Sequence, residues 1–359
     1  FAEIRETKNR PVIFFDDMDD KNDKEEFLNA LPELVGKAYV VLLVRNQMEL
    51  PFPFDVIQMT AMTVPLLLAE NKALDPLDAL RTIAITDGIP ELVQLFDFQR
   101  TFAENLGMLF AQNSTYFRYA ESELRRHFRT PETYNILLYG MATGHNRISQ
   151  LAEFSGFPQN KCDKYLKTLD KVGLLETVQR KDTTGHVRTH YYPKGGYWKT
   201  WFRYVFPSQG CRLKPLEGSN LQQLADDIDC SIVVEYFKKV CWQWMKKNYG
   251  DYYWDEILGF DDPKQQNVTV NGVHFDYAQE TKDHTIYVKI WDDIREGFPK
   301  AEFQRIEAAT TAVRPFYENI YFLFSAGRAC NYVEQLRNLD TVSVVDLKSL
   351  LGQKNKELF

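Results

Sequence analysis

The chain has 359 residues, 44% hydrophobic and 26% charged, with a formal net charge of −7. That length suits about two to four domains with cores of their own, and the acid excess argues against a generic nucleic-acid coat. No apolar run approaches the roughly 18–20 residues that cross a bilayer. An opening "FAEIRETKNR" without an apolar stretch, and five scattered cysteines without a CxxC pair, point to a cytoplasmic protein with reduced thiols.

Residues 1–55 contain two short apolar runs, "VIFF" (12–15) and "YVVLLV" (39–44), around the amphipathic stretch "DKEEFLNALPELVGK". Continuous apolar runs of this length predict parallel strands covered on both faces, with a helix between them. A strand–helix–strand unit cannot hide both sheet faces alone, so this segment is expected to belong to a larger α/β sheet. Four acids follow the first strand in "PVIFFDDMDD" (11–20). A P-loop nucleotide hydrolase ends its second signature strand this way, yet no Gly-rich phosphate loop precedes it. The plain alternative is a buried strand running into a solvated acidic turn.

From Val56 to Ser122 the pattern turns helical, punctuated by Pro76, Gly88 and Pro90. A basic island follows. Between Glu123 and Phe206 there are fourteen Lys/Arg against seven Asp/Glu, about +7 within a chain of −7. Within it, Ile136, Leu137 and Met141 give one apolar helix face, and Ile148, Leu151 and Ala152 a second that ends at Gly156. Cys162, Tyr165, Leu166 and Leu169 give a third that stops at Gly173. "LLETVQRKDTTGHVRTHYYP" then offers two strands around a Thr-Thr-Gly turn. Three helices and a two-stranded wing predict a winged helix-turn-helix.

Gln159, Asn160 and Lys161 open the third helix, where side chains enter a major groove, and Lys164, Lys167 and Lys171 follow. Arg180, Lys181, His186 and Arg188 lie on or beside the wing. Amides read base edges and lysines neutralise phosphates, so double-stranded DNA is the expected partner. The same pattern serves modules that pack on proteins, and that reading stays open beside the first.

Residues 207–219 form the best linker candidate, rich in Gly, Pro and Ser. Beyond it come a strong amphipathic helix (224–248), strand-like runs at 268–278 and 285–291, a helix near 300–314, a strand at 318–325, a helix, and a strand at 342–347. Together they predict an α/β domain. The aromatic cluster at 240–254 suits core contacts better than base stacking, and the two histidines of "HVRTHYY" lack an obvious third metal ligand.

Several ordered motifs carry a family resemblance: "TDGIPELVQLFD" (86–97), "TGHNRISQLAEFSGFPQNKCDKYLKTLDKVGLLE" (143–176), "GGYWKTWFRYVFP" (195–207) and "NIYFLFSAGR" (319–328). The chain resembles the prokaryotic, archaeal-type, AAA-like P-loop ATPases that join a winged helix and a C-terminal restriction-endonuclease-like domain of unknown function. The resemblance implies a multi-domain α/β protein. It would comprise the rear of an ATPase core (1–55), a helical lid (56–122), a winged helix-turn-helix (123–206) and a restriction-endonuclease-like domain (207–359).

Carried over by residue, the resemblance makes Asp16 the magnesium acid of the nucleotide site. Asp17 stands where the family has the glutamate that polarises water, and Arg45 or Asn46 stands at the sensor position. An Asp is one methylene shorter than that glutamate, and nothing in these residues matches the phosphate loop. Hydrolysis is therefore expected to be degenerate, with ATP and Mg²⁺ only in a longer parent that carries the loop. In the C-terminal domain Asp276 would be the nuclease acid and second metal candidate. Lys289 would be the nuclease lysine, with Tyr287 standing where a glutamate is needed.

Glu235 is a candidate third acid, and Glu235 or Glu280 would complete a magnesium-dependent nuclease if one survives. The leading expectation is a DNA-binding member of the family with degenerate hydrolysis and nuclease sites. The alternatives are a pseudo-ATPase scaffold with a protein partner or a second copy of itself, and a magnesium-dependent nuclease.

Overall fold

A computed structural model describes residues 10–16, 24–44, 54–57, 59–111, 114–181, 186–206, 219–249, 252–253, 256–257 and 265–351. The chain divides into two compact units, residues 1–60 and 61–359.

The first unit holds β1 (Val12–Phe15), α1 (Lys24–Lys37) and β2 (Tyr39–Leu42). The strands pair in parallel from Val12↔Tyr39 to Phe15↔Leu42, as the apolar runs predict. Helix α1 buries Leu31 and Leu34, and Phe27 sets its ring edge-on to Phe15 with centroids 4.9 Å apart. Val12, Phe14 and Tyr39 share the other face and are exposed, Phe14 at 66%. Cover on both faces is the norm for parallel strands, and among the described residues this sheet has it on one.

The second unit begins with α2 (Val64–Glu70), α3 (Pro76–Thr86), α4 (Pro90–Val93), α5 (Phe102–Leu109) and α6 (Thr115–His127). Short polar side chains start four of them. Thr63 accepts the Leu66 N–H, Asp75 the Leu77 N–H and Ser114 the Phe117 N–H, while Thr101 and Glu104 form a capping box. Asp87 and Gly88 end α3 in the left-handed region, with φ of 51° and 68°.

Next come α7 (Glu132–Ala142), α8 (Ile148–Ser155) and α9 (Gln159–Lys171), then β3 (Leu175–Lys181) and β4 (Val187–Pro193). The strands form an antiparallel ribbon from Leu175↔Pro193 to Lys181↔Val187. Gly156 and Gly173 follow α8 and α9 with φ of 70° and 76°, where the sequence predicts both helices to stop. Gly140 lets α8 approach α7 closely, since an added Cβ would fall 2.8 Å from the Phe154 ring.

Helix α10 (Gly195–Thr200) runs on into a π-helical turn, Trp201–Val205. Of the expected linker, residues 207–218 lie outside the described residues, and Ser219 already opens α11 (Ser219–Ile228). A second π-helical turn (Asp229–Val233) leads to α12 (Val234–Tyr249), followed by the two-residue strands β5 (Tyr252–Tyr253) and β6 (Glu256–Ile257). The C-terminal sheet holds β7 (Gln266–Val270), β8 (Val273–Glu280), β9 (Thr285–Ile290), β10 (Asn319–Ser325) and β11 (Val342–Asp346). The helices α13 (Lys300–Thr311), α14 (Asn331–Gln335) and α15 (Leu347–Leu350) accompany it. Strand order is β11-β10-β9-β8-β7, antiparallel through β7, β8 and β9 and parallel through β9, β10 and β11.

The run expected as one strand at 268–278 is two. Asn271 and Gly272, with φ of 45° and 80°, turn the chain between Val270 and Val273. Asn-Gly suits a two-residue hairpin because both residues tolerate positive φ.

One apolar cluster extends from Val64 to Leu350. It takes in α2–α10, α12 and the sheet face bearing Tyr277, Ile286, Val288, Ile290, Phe322 and Phe324. A second cluster, under α13, takes the opposite face with Phe275, Tyr287, Tyr321 and Leu323. The first cluster crosses the boundaries expected near residues 123 and 207 without a break. Polar contacts cross them too. Tyr197 donates its hydroxyl to the Tyr116 carbonyl (2.9 Å), and Trp201 Nε1 donates to the Phe117 carbonyl (3.2 Å). The Arg81 guanidinium grips Asp229 with two bonds, at 3.0 and 2.6 Å.

Candidate nucleic-acid interface and sheet site

Helix α9 is amphipathic in the way a groove-reading helix requires. Cys162, Leu166 and Leu169 are buried, while Gln159, Asn160, Lys161, Lys164, Lys167 and Lys171 are exposed. The lysines differ in their surroundings. Lys161 Nζ stands 3.9 Å from the Phe157 ring centroid and 5.7 Å from that of Tyr165, a cation–π setting that restrains the ammonium near the helix start. Lys167 pairs with Asp163 at 2.7 Å, and the Asp163 hydrogen bond pushes its ammonium above the ordinary lysine value. No acid pairs with Lys164 or Lys171 among the described residues.

On the ribbon, His186 and Arg188 are exposed. Arg180 stands opposite Arg188 in the β3–β4 register and Lys181 opposite Val187; the side chains of Arg180 and Lys181 lie outside the described residues.

The sheet site is built differently from its expectation. Asp276 is buried, at 7% exposure. Its Oδ2 accepts the Ile290 N–H at 2.8 Å and its Oδ1 meets Lys238 Nζ at 3.0 Å. The same ammonium reaches Asp292 at 2.8 Å. Burial opposes the charge on Lys238, but the two carboxylates outweigh that and raise its pKa. Lys289 points elsewhere, donating to the His274 carbonyl at 2.9 Å and standing 3.7 Å from Glu302, which Arg305 also holds at 2.9 Å.

The backbone explains the separation. Along a regular strand Val273, Phe275 and Tyr277 would share a face. Instead Val273 and Phe275 join the α13-side cluster and Tyr277 the α12-side cluster, so β8 changes face at Asp276. Asn267 on β7 has φ of 54°, and the β8–β9 ladder stops at Tyr277↔Val288. The Asp276 carboxylate, turned to α12, takes the Ile290 N–H beyond the ladder's end. Lys289 follows the unbroken alternation of β9 and shares the α13 side with Tyr287. The expected pairing of Asp276 with Lys289 is therefore not formed.

The other expected acids are committed too. Glu235 binds Lys199 at 2.8 Å, and Lys199 stands 3.7 Å from Glu176 on β3. Thr143, Asn146, Tyr192, Lys199, Arg203 and Glu235 line a cleft of about 450 Å³ here. Glu280 meets Arg314 at 3.1 Å. Among the described residues no group of three or more His, Cys, Asp or Glu is placed to hold a metal ion. At Asp276 the donor set does not suit a divalent cation, because an ammonium already fills the position between the two carboxylates.

For the nucleotide site, Asp16 is exposed at the end of β1, and Asp17, Arg45 and Asn46 lie outside the described residues. Sequence reasoning missed Lys238, Asp292 and Glu302. The one available signal was that Lys238 lies a helical turn beyond Glu235 on the predicted helix. Among the described residues no helix is long and apolar enough to cross a membrane.

No protein-family model matches the chain. Over 126 residues it is 27% identical to an uncharacterized protein, MJECL04, of Methanocaldococcus jannaschii. The matched stretch covers 34% of this chain and 28% of that protein.

Proposed function

We propose that the chain binds double-stranded DNA, with residues 123–206 acting as a winged helix-turn-helix and α9 as the helix that enters the major groove. One observation carries this reading. The exposed face of α9 combines two amides at its start with four lysines along its length, over an apolar face buried in the core. Amides are suited to base edges and ammonium groups to phosphates. In this reading the chain is a member of the AAA-like ATPase family it resembles, and the C-terminal sheet is a restriction-endonuclease-like domain that no longer cuts. Lys238, seated against Asp276, supports the loss of cutting.

The test is duplex binding measured across a salt series. Affinity should fall steeply with salt as counterions return to the DNA. The triple variant K161A/K164A/K171A should flatten that slope by about 3 if each lysine meets one phosphate. Salt-insensitive binding, or a triple variant that binds as the wild type does, would favour the protein-scaffold reading.

A further inference from the structure

Resting on that reading, we infer that the DNA-binding surface is bipartite. Arg125 and Arg129, at the end of α6, form a second phosphate-contacting patch that extends the lysine face of α9.

An aromatic relay runs from Phe128, the neighbour of Arg129, to the start of α9. The Phe128 ring stacks on Tyr134 at 3.8 Å with an interplanar angle of 16°. Tyr134 sets its edge to Tyr165 at 5.0 Å, and Tyr165 lies 5.7 Å from the Lys161 ammonium. Three contacts, none longer than 5.7 Å, thus connect the residue between His127 and Arg129 to the first lysine of α9. Phe128 is buried, and so it anchors the chain where α6 ends. Duplex DNA carries a charge about every 1.7 Å of its axis, so cations spread over such a relay meet several phosphates rather than one.

The local charge balance is what an anionic partner needs. From Arg125 to Lys171 there are eight Lys/Arg against four Asp/Glu. Arg125, Arg126, His127 and Arg129 are all exposed. Arg126 is bound by Glu123 at 2.6 Å, and His127 stands 4.0 Å from the same carboxylate. Arg125 and Arg129 have no acid partner among the described residues. An exposed arginine with no protein partner keeps its forked donors free for a phosphate.

The experiment compares R125A/R129A, K164A/K171A and the wild type on one duplex across salt concentrations, with denaturation midpoints confirming the folds. R125A/R129A should bind about tenfold more weakly at low salt, with the salt slope reduced by about 1–2 and the ranking of duplex sequences unchanged. R125K/R129K should recover most of the slope. Unchanged affinity and slope in R125A/R129A, with K164A/K171A weakened, would overturn the second patch and leave the DNA reading standing. No change in either variant would overturn both.

Discussion

Asp276 and Lys289 stand on paired strands and face opposite sides of the sheet, one tied to Lys238 and the other set against Glu302. A nuclease needs its acid and its lysine to converge on one metal and one water. Supercoiled plasmid incubated with the protein and Mg²⁺ or Mn²⁺ should therefore stay intact. Cleavage that Asp276→Ala abolishes would show that the sheet rearranges into a working site.

Lys238 supports the fold at this position. With Lys238→Met, Asp276 would keep the Ile290 N–H but lose its counter-charge while remaining buried. A loss of about 1–3 kcal/mol in urea unfolding is expected, because a half-removed buried pair leaves an uncompensated charge. Pairing K238M with D276N should recover part of that loss. A double variant as unstable as the sum of the single ones would mean the two residues do not interact.

Asp87 joins the end of α3 to the start of α10, accepting the N–H groups of Gly196 at 2.7 Å and Tyr197 at 3.0 Å. Asp87→Ala should cost about 1–3 kcal/mol by leaving two N–H groups without an acceptor in a part-buried junction. Burial holds its carboxyl above the ordinary value, against the two N–H bonds and the positive charges of Lys239 and Lys199. The folded state thus binds this proton more tightly than the unfolded chain. Relative to Asp87→Asn, wild-type stability should fall as pH rises from about 3.9 through the raised value, then stay level. Urea midpoints of both proteins across the acidic range test the sign.

If α9 binds a duplex as proposed, Asp163 would compete with it for Lys167. Asp163→Ala removes an acid from the α9 face and frees the ammonium of Lys167, whose side chain is 76% exposed. Duplex affinity should rise about two- to tenfold, with a salt slope steeper by about 1. Weaker binding would mean that Asp163 holds Lys167 in its working position.

Helices were legible in the sequence because their signals are local. The spacing of Cys162, Leu166 and Leu169 marked the buried side of α9, and Gly156 and Gly173 marked where two helices stop. The same locality assigned the exposed amides and lysines of α9, since one face of a helix fixes the other. The Asn271–Gly272 turn was also written locally, and it divides what the apolar pattern alone had joined.

Only the tertiary structure decided what meets what. The Asp87–Gly196 and Arg81–Asp229 contacts join residues more than a hundred positions apart, and no period or cap announces such a pair. A strand's side-chain direction depends on its neighbours' register, so an irregularity opposite Asn267 could turn Asp276 to α12 while Lys289 stayed with α13. Residue types at their spacing determined which chemistry was conceivable. Packing determined which groups converge, because two side chains react only when the backbone sends them to the same face.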